Sequence, residues 1–88
     1  MQKRKFSIVN RLGLHARAAA QLVKTASRFA CEVTLLKEDI EVNGKSIMGI
    51  LLLAAPQGTE ILVVAEGADE EQAMQDLATL IEGGFGEE

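Results

Sequence analysis

Residues 60–66 read Glu-Ile-Leu-Val-Val-Ala-Glu, and they are the clearest strand signal in the 88-residue chain. β-Branched and aliphatic side chains dominate this stretch, and such residues are typical of strands buried within a sheet. The stretch therefore predicts a β-strand in the centre of a sheet. Gly67 follows directly and ends the strand.

The segment after this strand predicts a helix over residues 70–82. Asp69 is its expected N-cap, and Gln72 is the expected capping-box partner. Apolar residues at helical spacing predict the buried face of the helix: Ala73, Leu77, Leu80 and Ile81. Gly83-Gly84 ends the helix, and residues 85–88 are expected to fray.

Three further segments predict strands. Residues 5–9, 31–37 and 40–42 alternate between apolar and polar side chains, which is typical of strands with one buried face. In the first of these segments we expect Phe6 and Ile8 to face inwards.

Two segments predict the remaining helices. Residues 16–28 are rich in alanine, and small side chains at helical spacing predict close packing against a sheet: Ala16, Ala19, Ala20, Val23 and Ala26. Residues 47–55 form a continuous apolar run that fits either a buried strand or a short helix. Ser46, after the turn signal Asn43-Gly44, is a good N-cap and favours the helix.

The predicted element order is β-α-β-β-α-β-α. Elements of these lengths in this order predict an α+β fold with a four-stranded antiparallel sheet and helices on one face. Residues 1–88 are expected to form a single domain, because domains average about 100–150 residues and no room is left for a second core.

Composition narrows the class of protein. Hydrophobic residues are 48% and charged residues 25% of the chain, which excludes a disordered protein. No apolar run reaches the length of a membrane span, and the stretch after Lys3-Arg4-Lys5 is too short for a signal peptide. We therefore expect a cytoplasmic protein without membrane insertion. One cysteine, Cys31, and one histidine, His15, exclude an internal disulfide and argue against a metal site, and nothing predicts a cofactor.

Charge is divided unevenly along the chain. Residues 1–28 contain seven bases and no acid, whereas residues 45–88 contain nine acids and Lys45 as the one base. The division either serves solubility alone or indicates a basic surface that meets a phosphate, a nucleic acid or an acidic partner. Nucleic acid is the weaker interpretation, because Tyr and Trp are absent and three Phe residues offer little stacking surface.

His15 is the first candidate for chemistry. It stands between the loop Leu12-Gly13-Leu14 and the first predicted helical residue, so its ring is expected beside free backbone N–H groups that attract anions. Arg17 follows in the first turn, and its guanidinium fits phosphate oxygens. The alternative is that His15 only caps the helix and that Arg17 is a solvated charge.

Ser46 and the apolar residues after it form the second candidate site. A phosphate on Ser46 would be accommodated at a helix N-terminus beside Lys45, although a plain N-cap also explains this serine. The run Ile47–Leu53 is so apolar that a short helix there cannot bury all of its side chains. The alternative is that these residues only pack in the core. The exposed part of the run predicts a docking patch that includes Ile47, Met48 and Leu51.

Two motifs resemble one known family. Gly13-Leu14-His15-Ala16-Arg17, before an alanine-rich helix, is similar to the active-site signature of HPr. HPr is the histidine phosphocarrier of the bacterial phosphoenolpyruvate-dependent sugar phosphotransferase system. Lys45-Ser46-Ile47-Met48-Gly49 is similar to the family's second motif, which surrounds a regulatory serine. The motif separation, the length and the element order also match, so the resemblance covers essentially the whole chain.

The resemblance implies an open-faced β-sandwich and a carrier without enzymatic turnover of its own. His15 would accept a phosphoryl group on Nδ1 from enzyme I and pass it to enzyme IIA domains, while Arg17 would stabilise that group. Ser46 would be the target of an HPr kinase/phosphorylase, and the short helix after it would contribute to docking. We expect a monomer that binds no nucleic acid.

One position departs from the family pattern. Ala18 stands where most members carry proline after the arginine. Alanine keeps the helix but adds a free N–H and removes the constraint on φ, so we expect looser geometry without loss of chemistry. Because of this departure, a role in a regulatory, nitrogen-related phosphotransfer branch is kept as an alternative to sugar uptake. A small ligand-binding or nucleic-acid-binding α+β domain is the rival from another class.

Overall fold

A computed structural model describes residues 1–87 of the chain. Its elements follow the predicted order. The strands are β1 (Gln2–Ser7), β2 (Glu32–Lys37), β3 (Ile40–Asn43) and β4 (Glu60–Glu66). The helices are α1 (Ala16–Ala26), α2 (Ile47–Leu52) and α3 (Glu70–Glu82), and a 3₁₀ turn follows at Gly84–Gly86.

The four strands form one antiparallel sheet in the order β1-β4-β2-β3. β4 lies between β1 and β2, which confirms its predicted central position. The inward side chains of β4, Ile61, Val63 and Ala65, are buried, whereas Leu62 and Val64 on the other face are only half-buried. Helices therefore cover one face of the sheet and leave the other open, and the predicted open-faced α+β sandwich is confirmed.

The first strand begins earlier than predicted. β1 starts at Gln2 and ends at Ser7, whereas alternation in the sequence suggested residues 5–9. β1 lies at the edge of the sheet and pairs only with β4 among the described strands. Its charged side chains therefore stay exposed while its backbone hydrogen-bonds to β4. Phe6 and Ile8 are buried, as expected.

The buried face of α1 differs from the predicted alanine stripe. Ala16 and Ala20 are exposed and Val23 is half-buried, and the buried residues are Ala18, Ala19, Leu22 and Ala26. Leu22 is the largest apolar side chain among these, and the helix is turned so that the face carrying Leu22 packs into the core. The helix also ends at Ala26, before the predicted Arg28.

The start of α3 uses a different set of hydrogen bonds from the predicted capping box. Asp69 makes no cap bond with its side chain, and its carboxylate accepts from the backbone N–H groups of Ala30 (2.8 Å) and Cys31 (2.9 Å). Gln72 donates to Asp76 instead of closing a box. Asp69 therefore ties the helix to the segment before β2, a long-range contact that a local capping rule does not anticipate.

The segment after α3 is folded, which corrects the expectation that it frays. The Phe85 side chain is 4% exposed and belongs to the core, and Gly84–Gly86 form a 3₁₀ turn. Burial of an aromatic ring stabilises such a segment by about 1.5–3 kcal/mol, which is enough to hold it against the domain. Glu88 lies outside the described residues. Among residues 1–87, no helix is both long and apolar enough to cross a membrane.

Candidate functional site

The loop before α1 is held tightly against the segment that follows α2. The Leu14 backbone N–H donates to the Ala55 carbonyl at 2.9 Å. Gly13 adopts φ +69°, and a Cβ there would come within 2.4 Å of the Ala55 carbonyl oxygen. Only glycine fits such a close approach with a positive φ, so Gly13 fixes the path of the chain into the helix.

His15 occupies the N-cap position of α1, as predicted. Its backbone is extended, and its carbonyl accepts the first helical bond from the Ala19 N–H at 2.8 Å. The ring itself makes no cap hydrogen bond, and the side chain is 31% exposed. The His15 side chain therefore does not cap the helix, and part of it is exposed.

Glu87 is the site residue that the sequence did not reveal. Its carboxylate lies 3.2 Å from His15 Nε2 and also accepts from the Leu12 N–H at 2.9 Å and from Asn10 Nδ2 at 3.0 Å. These contacts lower the pKa of Glu87, with the Asn10 hydrogen bond as the largest cause and the Leu12 N–H next. The carboxylate is therefore ionised near neutral pH.

Arg17 projects from the first turn of α1 and is exposed. It lines a small cleft of about 120 Å³ together with His15, Phe85 and Glu87. Clefts for drug-sized ligands measure roughly 300–1,000 Å³, so this one suits a small group such as a phosphoryl. A cleft of about 530 Å³ beside β2 and the edge strand β3 is lined by neither His15 nor Arg17.

Ala18, which replaces the usual family proline, is fully buried in α1. The helix begins at Ala16 with a regular first bond, so it does not need the proline to start. The structure thus agrees with the expectation that alanine preserves the helix.

Ser46 caps α2 as predicted. Its backbone is extended, and its Oγ accepts from the Gly49 N–H at 3.1 Å. The neighbouring Lys45 directs its ammonium to the Phe29 carbonyl at 2.7 Å. α2 is about 9 Å long at 1.5 Å per residue. Ser46 begins this helix, whereas the His15 loop contacts the segment after its end, so the two candidate sites are not adjacent.

The α2 helix exposes most of its apolar side chains. Met48 is 74% and Leu52 is 70% exposed, and Ile47 and Leu51 are also exposed, whereas Ile50 is fully buried. We call the exposed set, Ile47, Met48, Leu51 and Leu52, the α2 patch. The sequence indicated the first three as docking candidates and did not single out Leu52, which lies one turn after Met48 on the same side.

Three basic residues of the first third pair with acids from elsewhere in the fold. Arg4 pairs with Glu82 and Arg28 with Asp76, each at 3.3 Å, and Lys5 lies 3.9 Å from Glu60. The acids in these pairs come from β4 and α3, so folding neutralises part of the positive charge of the first third. Arg17 is the base that lines the cleft beside His15.

The fold and the site together define a class of small, open-faced α+β proteins with a half-exposed histidine at the start of the first helix. A family model described as the PTS HPr component phosphorylation site matches residues 2–83. The phosphocarrier protein HPr of Neisseria meningitidis is 53% identical over 87 residues, which cover 99% of this chain and 98% of that relative.

Solved structures agree with this match. HPr-C-His from Thermoanaerobacter tengcongensis is similar with a TM-score of 0.96 at 48% identity, covering 100% of this chain and 99% of that one. An HPr dimer from the same organism gives a TM-score of 0.79 at 47% identity, covering 99% of this chain and 100% of that one. The chain belongs to the HPr family of phosphocarrier proteins of the phosphotransferase system.

Proposed function

We propose that His15 accepts a phosphoryl group on Nδ1 from enzyme I, which receives it from phosphoenolpyruvate, and passes it to enzyme IIA domains in the cytoplasm. The observation that carries this proposal is the His15 ring itself. It is half-exposed, stands at a helix start, and has one nitrogen occupied by Glu87 while the other makes no cap bond. A nitrogen with a free lone pair is the nucleophile that phosphoryl transfer requires.

Arg17 supports the transferred group in this proposal. Its guanidinium lies beside the cleft that the His15 ring lines, and its planar donors match phosphate oxygens. The positive end of α1 adds a favourable field for a negative group at the same place. Arg17 forms no covalent bond with the phosphoryl group and contributes only through charge and hydrogen bonding.

Docking with both partners is assigned to the α2 patch. Four exposed apolar side chains on a helix of six residues are unusual for a domain surface, which favours a binding role. The segment that follows the α2 patch contacts the His15 loop, because the Ala55 carbonyl accepts from the Leu14 N–H. A partner seated on the α2 patch would therefore bring its own reactive group towards His15.

Ser46 is the proposed regulatory site, modified by an HPr kinase/phosphorylase. Its hydroxyl stands at the edge of the α2 patch, and a phosphate there would carry about −1.5 to −2 charges at pH 7. The charge would border Ile47 and Met48 on the proposed docking surface. Phosphorylation is thus expected to act on docking and not on the chemistry of His15.

The protein would act as a monomeric carrier that is itself the substrate of its partners. A carrier must present the same histidine to a donor and then to an acceptor, and the exposed patch serves both encounters in turn. The rival of a nucleic-acid-binding domain loses support, because Phe6 and Phe85 are buried and Phe29 is half-buried.

The proposed function is tested by incubating the protein with enzyme I and labelled phosphoenolpyruvate. We expect label on the protein that is lost in acid and retained in base, as phosphohistidine requires. Omission of enzyme I is the control and should leave the protein unlabelled. A ligand-binding or nucleic-acid-binding domain would acquire no label in either reaction, and that result would refute the carrier role.

A further inference from the structure

We infer that Glu87 is a positioning residue that keeps the proton of the neutral His15 ring on Nε2 and so leaves the Nδ1 lone pair free to attack phosphorus. The inference rests on the proposed function and adds to it a role for the segment after α3. It assigns to Glu87 the place that an orienting carboxylate takes beside a reactive histidine.

The hydrogen-bond geometry identifies which ring nitrogen carries the proton. The Glu87 carboxylate lies 3.2 Å from His15 Nε2, and an ionised carboxylate can only accept a hydrogen bond. Nε2 must therefore be the donor. In a neutral ring the other nitrogen then holds the lone pair, and Nδ1 has no competing cap bond to the helix.

Two further donors hold the carboxylate in place. The Leu12 N–H donates to Oε1 at 2.9 Å, and Asn10 Nδ2 donates to Oε2 at 3.0 Å. Asn10 is itself buried and also donates to the Gly13 carbonyl at 2.8 Å. Glu87 thus contacts the same loop that delivers His15 to the helix, so the carboxylate and the ring are positioned by one short segment.

The segment that carries Glu87 is fastened by burial of a side chain. Phe85 adopts φ +58°, a conformation that non-glycine residues rarely take, and its ring is buried in the core. The Glu87 N–H donates to the Gly84 carbonyl at 3.0 Å, which closes the turn. The core contact of Phe85 therefore sets the direction in which Glu87 leaves the turn.

The arrangement also balances charge during transfer. The Nδ1 lone pair forms the phosphorus–nitrogen bond while the bond from phosphorus to the donor atom breaks, and that electron pair leaves with the donor. Nε2 keeps its proton, so the ring becomes formally cationic when both nitrogens are substituted. Glu87 faces the Nε2 edge of this cation, and Arg17 is available to the phosphoryl group in the cleft.

The test begins with the unphosphorylated protein and needs no enzyme. Nitrogen-15 NMR shifts of the His15 ring, at a pH where the ring is neutral, report directly which nitrogen bears the proton. We expect the wild-type ring to carry it on Nε2, and Glu87→Ala to shift the population measurably towards protonation at Nδ1. Glu82→Ala is the matched control, since it removes an exposed carboxylate that pairs with Arg4 and is expected to leave the ring shifts unchanged.

A rate measurement gives the second reading. Transfer from phosphorylated enzyme I to Glu87→Ala is expected to slow by about two- to fivefold, the range for a partly exposed ion pair, while Glu82→Ala keeps the wild-type rate. Glu87→Gln, whose amide oxygen can still accept from Nε2 but carries no charge, should fall between the two.

The outcomes separate this inference from the proposed function. A wild-type ring protonated on Nδ1, or ring shifts and transfer rates that Glu87→Ala leaves unchanged, would overturn the role of Glu87 while the carrier function stands. Failure of the wild-type protein to accept phosphoryl groups would instead refute the carrier function. Because the wild-type shifts alone decide the tautomer, the inference stays testable even if Glu87→Ala does not fold.

Discussion

Arg17 lines the His15 cleft and forms no ion pair with the part of the chain that the structure describes, whereas the side chains of Arg4 and Arg28 reach acids elsewhere in the fold. Charge at this residue is therefore available to the phosphoryl group without breaking an ion pair of the described structure. In the proposed function Arg17 stabilises negative charge in the transition state, because the bond-forming atom belongs to His15.

Replacement of Arg17 by alanine is expected to slow phosphoryl acceptance without abolishing it. A loss of roughly ten- to a hundredfold is expected, at or below the range for a buried stabilising donor, because this guanidinium is exposed to solvent. Rapid-quench measurement of the transfer rate from enzyme I checks the value. Arg11→Ala is the control, since it removes an equal charge from the neighbouring loop and should act through salt-sensitive steering alone. Equal effects of the two substitutions at every salt concentration would contradict a phosphate-contacting role.

Ser46 caps α2 and is also the proposed regulatory site, and separate substitutions distinguish the two roles. Loss of the Oγ bond to the Gly49 N–H in Ser46→Ala should lower the free energy of unfolding by about 0.5–2 kcal/mol while His15 is still phosphorylated normally. Ser46→Asp should keep or raise the melting temperature, because a negative charge suits a helix N-terminus, and yet weaken binding to enzyme I.

Denaturant unfolding and titration calorimetry measure the two effects of the Ser46 substitutions. Ser27→Ala, which removes an exposed hydroxyl at the end of α1, serves as the control for the alanine variant. Wild-type affinity and wild-type phosphoryl acceptance in Ser46→Asp would reduce Ser46 to a structural cap.

Among the helices, α2 stands out because it buries one part of its apolar side chains and exposes the other. Ile50 in the helix and Leu53 directly after it are buried in the core and hold the helix in place, whereas the α2 patch is exposed. Burying one such side chain contributes about 1.5–3 kcal/mol, so a few of them would suffice for the specific but reversible docking that we propose. A carrier that must release each partner gains from this moderate affinity.

Met48→Asp tests the docking role of this element. The substitution should weaken binding to enzyme I at least tenfold, because it places a charge in the most exposed part of the α2 patch, and should change the melting temperature little. Ile40→Asp is the matched control, as Ile40 is an exposed apolar residue on β3 outside the α2 patch. A strong effect of both substitutions, or of neither, would show that the α2 patch is not the docking surface.

Features that depend on residues close in sequence were predictable, whereas features that depend on distant residues were not. Ser46 and the helix after it were predictable because an N-cap bond joins residues close in sequence, and β4 was predictable from its own apolar run. Glu87 was not, since its contact with His15 spans 72 positions and depends on the burial of Phe85. The start of β1 was missed for a similar reason: its charged side chains fit an edge strand only once the pairing of Gln2 with Ala65 is known.

Hydrogen bonds accepted by carboxylates connect parts of the molecule that are far apart in sequence. The Asp69 carboxylate, at the start of α3, accepts from the backbone before β2, and the Ala30 N–H is the largest cause that lowers its pKa. A carboxyl group whose pKa is lower in the folded state stabilises the fold above its unfolded pKa. That stabilisation is lost as the pH falls through the folded value.

Asp69→Asn is therefore expected to lower the free energy of unfolding at neutral pH and to flatten its decline below pH of about 4. The amide keeps the shape of the side chain but removes its charge. Urea unfolding at a series of pH values provides the measurement, and Glu41→Gln, at an exposed position on β3, provides the control. A variant whose pH profile runs parallel to that of the wild type would show that the charge of Asp69 contributes nothing.

The proposed carrier function depends most directly on His15, the one histidine of the chain. The decisive measurement is the phosphoryl content of His15→Ala after incubation with enzyme I and phosphoenolpyruvate, together with its unfolding curve. We predict no acid-labile phosphoryl group and a cooperative unfolding transition close to that of the wild type, because the half-exposed ring supports little of the core. Acid-labile label on a folded His15→Ala protein would contradict the account.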